Sequence, residues 1–432
     1  MNALIRFCLA LVTLLIGFHA QAGVSIAHWQ TRNGAKVYFV ESRALPILDV
    51  QVTFMAGSMF DPPAQSGLAA LTRGILDLGA GARDENAIAD QLADVGALLD
   101  GSADTDRASV HLRTLSAENK RTPALGVLRD VLHAPLFDAG IFAREQARTS
   151  AELKEAMTRP DSIAGKAFWA TMYPEHPYGR QATPESVNRL TRDDVTRFYR
   201  QHYRAQAATL VLVGDISRAE AEQMAEDIAA GLPEGPAPTL PALPALPQKQ
   251  HVKIDHPASQ AHVYLGLPAL ERGHPDFFPL VVGNYTLGGG GFVSRLMKEI
   301  RDKRGYAYSV YSYIAPMKQA GPFQIGLQTK RSQATDAVQL AQSLLDDFLQ
   351  NGPSAEELAA AKANLTGSFP LRLDSNKKIL ENVSVIAFYG LPLNYLDQYQ
   401  ANIQAVTVDD IKAAFSRRIL REHLITVTVA GD

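Results

Sequence analysis

The stretches LTRDDVTRFYRQHYRAQAATLVLVGDIS (190–217) and VTVDDIKAAFSRRILREHLITVTVAGD (406–432) decide the fold. Thr191, Asp193, Asp194 and Val195 match Thr407, Asp409, Asp410 and Ile411. After a helix of similar length, LVLVGD (210–215) answers ITVTVAGD (425–432). Each copy reads as a capped helix, a turn, a buried strand and Gly-Asp. The copies lie about half the chain apart, far beyond a solenoid period, so the pattern is a domain duplication.

Each half also opens alike. VYFV (37–40) and LDVQVTFM (48–55) read as an antiparallel pair turning at Ala44, Leu45 and Pro46, and HVYLGL (262–267) opens the second half. Helical periodicity follows over 66–78, 85–99, 117–132, 139–157, 161–171 and 191–202. Strands at the ends with helices between them predict an α+β fold of two homologous α/β-layer domains, each an antiparallel-rich sheet flanked by helices. Between the halves, GLPEGPAPTLPALPALPQKQ (231–250) repeats proline every third residue at Pro238, Pro241, Pro244 and Pro247. That period suits a polyproline II rod and predicts a semi-rigid linker between domains 23–230 and 251–432. The competing reading is a long surface loop inside one domain.

Composition excludes some partners. The 432 residues are 46% hydrophobic and 20% charged with net charge −3, so no basic field exists to hold nucleic acid or an anionic membrane. Residues 1–22 read as a secretory signal: Arg6 in the n-region, an apolar run from Leu9 to Phe18, and Ala20-Gln21-Ala22 as the cleavage site. An uncleaved anchor is the alternative. The only cysteine, Cys8, lies inside this segment, so the mature chain needs no disulfide and has no thiol nucleophile. The expected location is the periplasm.

Chemistry-bearing residues are sparse. The histidines beyond the signal (His28, His111, His133, His176, His202, His251, His256, His262, His274 and His423) form no H-x-x-x-H pair. His251, His256 and His262 cluster loosely in sequence and form the one alternative metal set. There is no G-x-G-x-x-G after a strand and no nucleophile elbow. The richest segment is LGGGGFVSRLMKEIRDKRGYAYSVYSYI (287–314). Gly288, Gly289, Gly290 and Gly291 precede an amphipathic pattern of Val293, Leu296, Met297 and Ile300, which predicts a loop that can cradle an anion or lie close to a peptide backbone. The helix should end at Gly305. A strand follows with Tyr308, Val310, Ser312 and Ile314 on one face. Arg301 sits seven residues before Tyr308; a guanidinium can clamp a peptide carbonyl, and a phenol can donate to a developing oxyanion.

Three segments, AGSMFDPPAQSGLAALTRGIL (56–76), EHPYGR (175–180) with LTRDDVTRFYRQHY (190–203), and LGGGGFVSRLMKEIRDKRGYAYSVYS (287–312), resemble the insulinase/pitrilysin-like zinc metallopeptidases, which include the mitochondrial processing peptidases. The resemblance implies two halves making one lobe of a clam-like shell. Active members carry His-x-x-Glu-His on the helix after Gly-Leu-Ala, two zinc ligands and a general base. Those places fall on Ala70, Arg73 and Gly74, and Glu152 falls near the third ligand. The resemblance therefore implies no metal in this chain, with a cation at Arg73 that would repel one. It implies that Arg301 and Tyr308 are the catalytic pair, that Gly288–Gly291 grip substrate, and that zinc sits on a homologous partner in a heterodimer. The alternative is a catalytically dead peptide-binding or scaffold protein of the same fold.

Overall fold

The computed structural model describes residues 24–431; the signal segment and Cys8 lie outside the described residues. Five strands recur in the same order in both halves. In the first, β1 (Ala27–Gln30), β2 (Lys36–Glu41), β3 (Ile47–Phe54), β6 (Leu98–Ala103), β7 (Ala108–Leu115) and β8 (Ala208–Gly214) form a sheet of order β1-β2-β8-β3-β7-β6; β4 (Gly79–Ala80) and β5 (Arg83–Asp84) make a separate small hairpin. In the second, β9 (His251–Asp255), β10 (Gln260–Leu270), β11 (Ala307–Ile314), β12 (Gly321–Lys330) and β13 (Ile425–Ala430) form a sheet of order β11-β12-β10-β13-β9. β2 runs parallel to β8 and β9 parallel to β13, while the remaining pairs are antiparallel. The duplication read from the helix-strand signature thus extends to sheet topology.

The signature itself is physical. Thr191 and Thr407 each accept the N–H of the aspartate three residues on, and Asp194 and Asp410 each accept the threonine N–H in return. Each reciprocal cap is worth roughly 0.5–2 kcal/mol and fixes where the helix starts. The strand each helix feeds is apolar because it lies in the sheet interior: every residue of β8 is buried.

Four local expectations are corrected. β2 and β3 are not paired with each other, because β8 lies between them; an apolar strand with two buried faces belongs at the centre of a sheet. The second half opens with β9, before β10. The helix expected over 85–99 ends at Val95, where Gly96 takes φ +66°, and Leu98 already begins β6. The helix expected over 66–78 spans Leu68–Ile75.

The halves exchange helices. Pro160–Met172 of the first half packs on β10 and β13 of the second, with Phe168, Met172 and Tyr173 meeting Ile425 and Val427. Asn376–Tyr389 of the second half packs on the first sheet, where Leu380, Val383 and Ala387 meet Tyr38, Val40, Val211 and Val213. The two helices hold equivalent places in the two halves. Burying one such leucine or valine contributes roughly 1.5–3 kcal/mol, so each sheet depends on the opposite half for its second apolar cover. A buried polar knot joins the same interface. Asp106 accepts from Tyr178 Oη (2.6 Å), Tyr389 Oη (2.9 Å) and the Lys318 N–H (2.8 Å). His176 and Gln319 bond at 2.6 Å, so the EHPYGR segment works here as a latch.

Residues 231–250 contain no helix or strand. The segment is tied down by Gln319 Nε2, which donates to the Pro241 carbonyl (2.6 Å), and by His423 Nδ1, which donates to the Pro247 carbonyl (2.8 Å). No helix among the described residues is long and apolar enough to cross a membrane.

Candidate functional site

The Leu68–Ile75 helix is where a zinc motif would sit. Its start is held by Asp61, whose carboxylate accepts the N–H groups of Gly67 and Ala69, each at 2.8 Å. Gly67 holds φ +101°, which lets the chain enter the helix from that turn. Burial pushes the Asp61 carboxyl up to about 7 even though these N–H groups and Arg180 pull the other way.

Ala70 and Gly74 lie exposed on one face and offer no donor atom. Arg73 is buried, 5% exposed, and turned beneath them. Its Nε donates to the Ser109 carbonyl (2.7 Å), and its two Nη atoms reach the Asp77 carboxylate at 3.2 and 3.4 Å. The guanidinium crosses β6 at Gly101, where any Cβ would overlap it. Repulsion by a free cation is therefore not what excludes a metal, because Asp77 already neutralises that charge. What excludes it is the lack of donors at residues 70 and 74. Glu152 is exposed and pairs with Arg148 at 3.3 Å. These residues do not fit a zinc ion. Among the described residues no three His, Cys, Asp or Glu side chains come together as a metal group. His251 bonds to Thr428 (2.9 Å) and His256 to the Thr158 carbonyl (3.3 Å), and these two histidines form no shared site with His262.

The structure brings Arg301 and Tyr308 together. The Arg301 Cζ lies 5.8 Å from the Tyr308 ring centroid and 5.0 Å from that of Phe292, and its Nη1 bonds Asp302 at 3.0 Å. Both rings are open to solvent, Tyr308 at 84% and Phe292 at 69%. A cation within about 6 Å of two aromatic faces is attracted to both rings, here in addition to its ion pair with Asp302. The expected strand face is corrected here. The pairing of β11 with β12 slips between Ala307 and Ser309, which leaves Tyr308 as the extra residue of a bulge. Val310 and Ser312 turn inward while Tyr308 projects out; bulges re-aim side chains in this way.

The glycine run is corrected as well. It is not an open loop: Tyr285–Gly289 continues the Phe277–Asn284 helix as a π-helical turn, and Gly291–Val293 adds a short 3-10 turn. Gly288 is buried against Ser312 of β11, where a side chain would overlap the strand. Asn284 and Ser312 tie helix to strand, Ser312 Oγ donating to Asn284 Oδ1 at 2.7 Å and Asn284 Nδ2 to the Ser312 carbonyl at 3.1 Å. Gly291 takes φ +61° and swings the chain outward. What the turn presents is Phe292 and Val293, so Val293 is not on the buried stripe with Leu296, Met297 and Ile300. The next segment, Met297–Asp302, is again π-helical and ends before Gly305. Wide turns of this kind recur at functional sites. Sequence reading missed Phe292, although its place directly after four glycines was a usable signal. It also missed Asp61, which caps from six and eight residues away.

Chemically, the cluster offers a phenol donor and a guanidinium side by side on an exposed surface next to a sheet edge. It can bind a peptide carbonyl or carboxylate, and it supplies no nucleophile or base of its own.

Comparison with known proteins finds similar chains. Residues 37–184 match the family described as insulinase (peptidase family M16), and residues 189–365 match the peptidase M16 inactive domain. A crystal structure of a peptidase M16 inactive domain from Pseudomonas fluorescens superimposes with TM-score 0.91 at 36% identity, covering 94% of this chain and 98% of that one. The non-peptidase homolog YmxG of Helicobacter pylori is 27% identical over 407 residues, 93% of each chain. An uncharacterized zinc protease of Streptomyces coelicolor is 27% identical over 369 residues, 83% of this chain and 79% of that one.

Proposed function

The chain belongs to the insulinase family of peptidases, M16, as a member without the zinc-binding motif, and from that premise we propose that it is the zinc-free subunit of an exported heterodimeric peptidase. In this reading it acts in the periplasm after loss of residues 1–22, and a homologous subunit carries the zinc. The single observation that carries the reading is the Arg301–Tyr308 pair, with the guanidinium carbon 5.8 Å from the ring centroid and Tyr308 open to solvent, in a chain whose Leu68–Ile75 helix has no donor atom at residues 70 and 74. Arg301 would hold a backbone carbonyl of the peptide. Tyr308 would donate a hydrogen bond to the scissile carbonyl oxygen as that oxygen gains charge. The turn at Gly288–Gly291 would set Phe292 against the same peptide.

The test is reconstitution. The purified chain alone is expected to hold no stoichiometric zinc and to cleave no peptide. Mixed with the zinc-bearing subunit it restores cleavage, and Tyr308→Phe lowers kcat about 10²–10³-fold while changing KM little, as loss of one oxyanion donor does. Cleavage by the isolated chain would refute the reading. Full activity of an Arg301→Ala, Tyr308→Phe double variant with the partner would favour the scaffold alternative.

A further inference from the structure

Away from Arg301 and Tyr308, a cavity of about 450 Å³ opens between the Phe369–Arg372 turn and the Asn376–Tyr389 and Tyr395–Ala405 helices. Its walls are aromatic: Phe277, Phe369, Tyr395 and Tyr399 line it, with Phe369 stacked on Tyr399 at 4.7 Å. Into this apolar space come two guanidiniums, Arg272 and Arg372. Neither lies within ion-pair distance of a carboxylate among the described residues, although Glu381 also lines the cavity, whereas the third cation at the rim, Lys378, pairs with Asp374 at 2.9 Å. Arg372 rests over the Tyr399 ring at 5.7 Å.

Arg272 is the anomaly. Its guanidinium lies 5.4 Å from the Tyr389 ring and 5.7 Å from the Phe277 ring, and its Nε is buried with no hydrogen-bond partner. Burial lowers its hold on the proton. Asp106, the acid whose charge reaches it, has its oxygens taken by Tyr178, Tyr389 and the Lys318 N–H. Buried charges are normally paired, because desolvation without a partner is costly. Arg272 keeps one buried N–H without a partner and makes no ion pair, even with Glu381 on the same cavity wall, so it lacks an acceptor that a ligand would bring.

We propose that this cavity binds a carboxylate carried on an apolar or aromatic group, with Arg272 as the principal anchor, Arg372 at the mouth and the four aromatic rings around the apolar part. Two sources share that chemistry: the carboxy-terminus of a peptide ending in a large apolar residue, and a free N-acylated amino acid. The volume suits a group of one or two residues and falls within the range of ordinary ligand pockets.

The experiment is calorimetric titration of the full chain with four probes: N-acetyl-phenylalanine, its amide, a hexapeptide ending in phenylalanine, and the same hexapeptide amidated. Each acid should bind at least tenfold more tightly than its amide, and Arg272→Gln should abolish that difference. Binding by the peptide acid alone would assign peptide termini as the source; equal binding by the small acid would assign the free acid. Arg272→Met, without ligand, should keep or raise the Tm, since it removes an uncompensated charge. Absence of binding by either acid at millimolar concentration, equal binding of acid and amide, or a fall in Tm of several degrees in Arg272→Met would overturn the proposal.

Discussion

Arg73 occupies the place where an active relative holds its general base, and its present role can be measured by a double-mutant cycle with Asp77. The pair is bidentate at 3.2 and 3.4 Å, with side chains 6% and 20% exposed. Two unit charges near 3.3 Å at an effective dielectric of 20 attract by about 5 kcal/mol before desolvation is subtracted. Asp77→Asn leaves the guanidinium buried with only the Ser109 carbonyl, and breaking a buried pair from that side costs about 3–5 kcal/mol. Arg73→Leu also breaks the bond to Ser109, but Asp77 can turn toward water, so the cost should be nearer 2–3 kcal/mol. The double variant leaves no charge buried and should cost about the same as Arg73→Leu alone. The expected coupling therefore equals the cost of Asp77→Asn alone, about 3–5 kcal/mol. The assay is equilibrium unfolding in urea followed by circular dichroism, accepting only variants whose m-value is unchanged. A coupling under about 0.5 kcal/mol would mean that Arg73 is merely tolerated at this position and that its ion pair with Asp77 does not stabilise the fold.

Leu380→Ala, in the helix the second half lends to the first sheet, should destabilise by about 2–5 kcal/mol and speed hydrogen exchange in β8 as well as in the helix, a joint response that independent halves would not give. Asp61 binds its proton more tightly in the folded chain than in the unfolded one, so its contribution to stability is full below its ordinary value of 3.8 and declines as pH rises to about 7. Unfolding midpoints measured from pH 4 to 8 should show this slope, and Asp61→Asn should flatten it. Tyr308→Phe should change the unfolding free energy by less than about 0.5 kcal/mol, because the side chain is 84% exposed; a larger loss would assign it a packing role.

What the sequence disclosed was local. Thr191 with Asp194 and Thr407 with Asp410 announce helix starts because the cap is made within four residues. Helix spans from Glu118 to Met172 were readable from periodicity to within a residue or two. The neighbours of β2 were not readable, since the choice of β8 over β3 depends on a strand some 170 residues away. In the site, residue types at 70, 73 and 74 told that the metal donors were gone, but not that Arg73 is folded down onto Ser109 and Asp77. The bulge at Tyr308 was equally silent, because strict alternation is the default reading of such a run and only pairing with β12 reveals the slipped register.

The exchanged helices also bear on synthesis. The first half emerges from the ribosome with its sheet-forming segments in hand but without Leu380, Val383 and Ala387, which arrive more than 140 residues after the end of that half. During that interval the apolar face around Tyr38 and Val211 has no native cover, and Phe168 waits for β13 of the second half. Completion of the first half is thereby postponed until the second half exists, so a product truncated between the halves would be left with a sticky surface that chaperones and quality-control proteases can recognise.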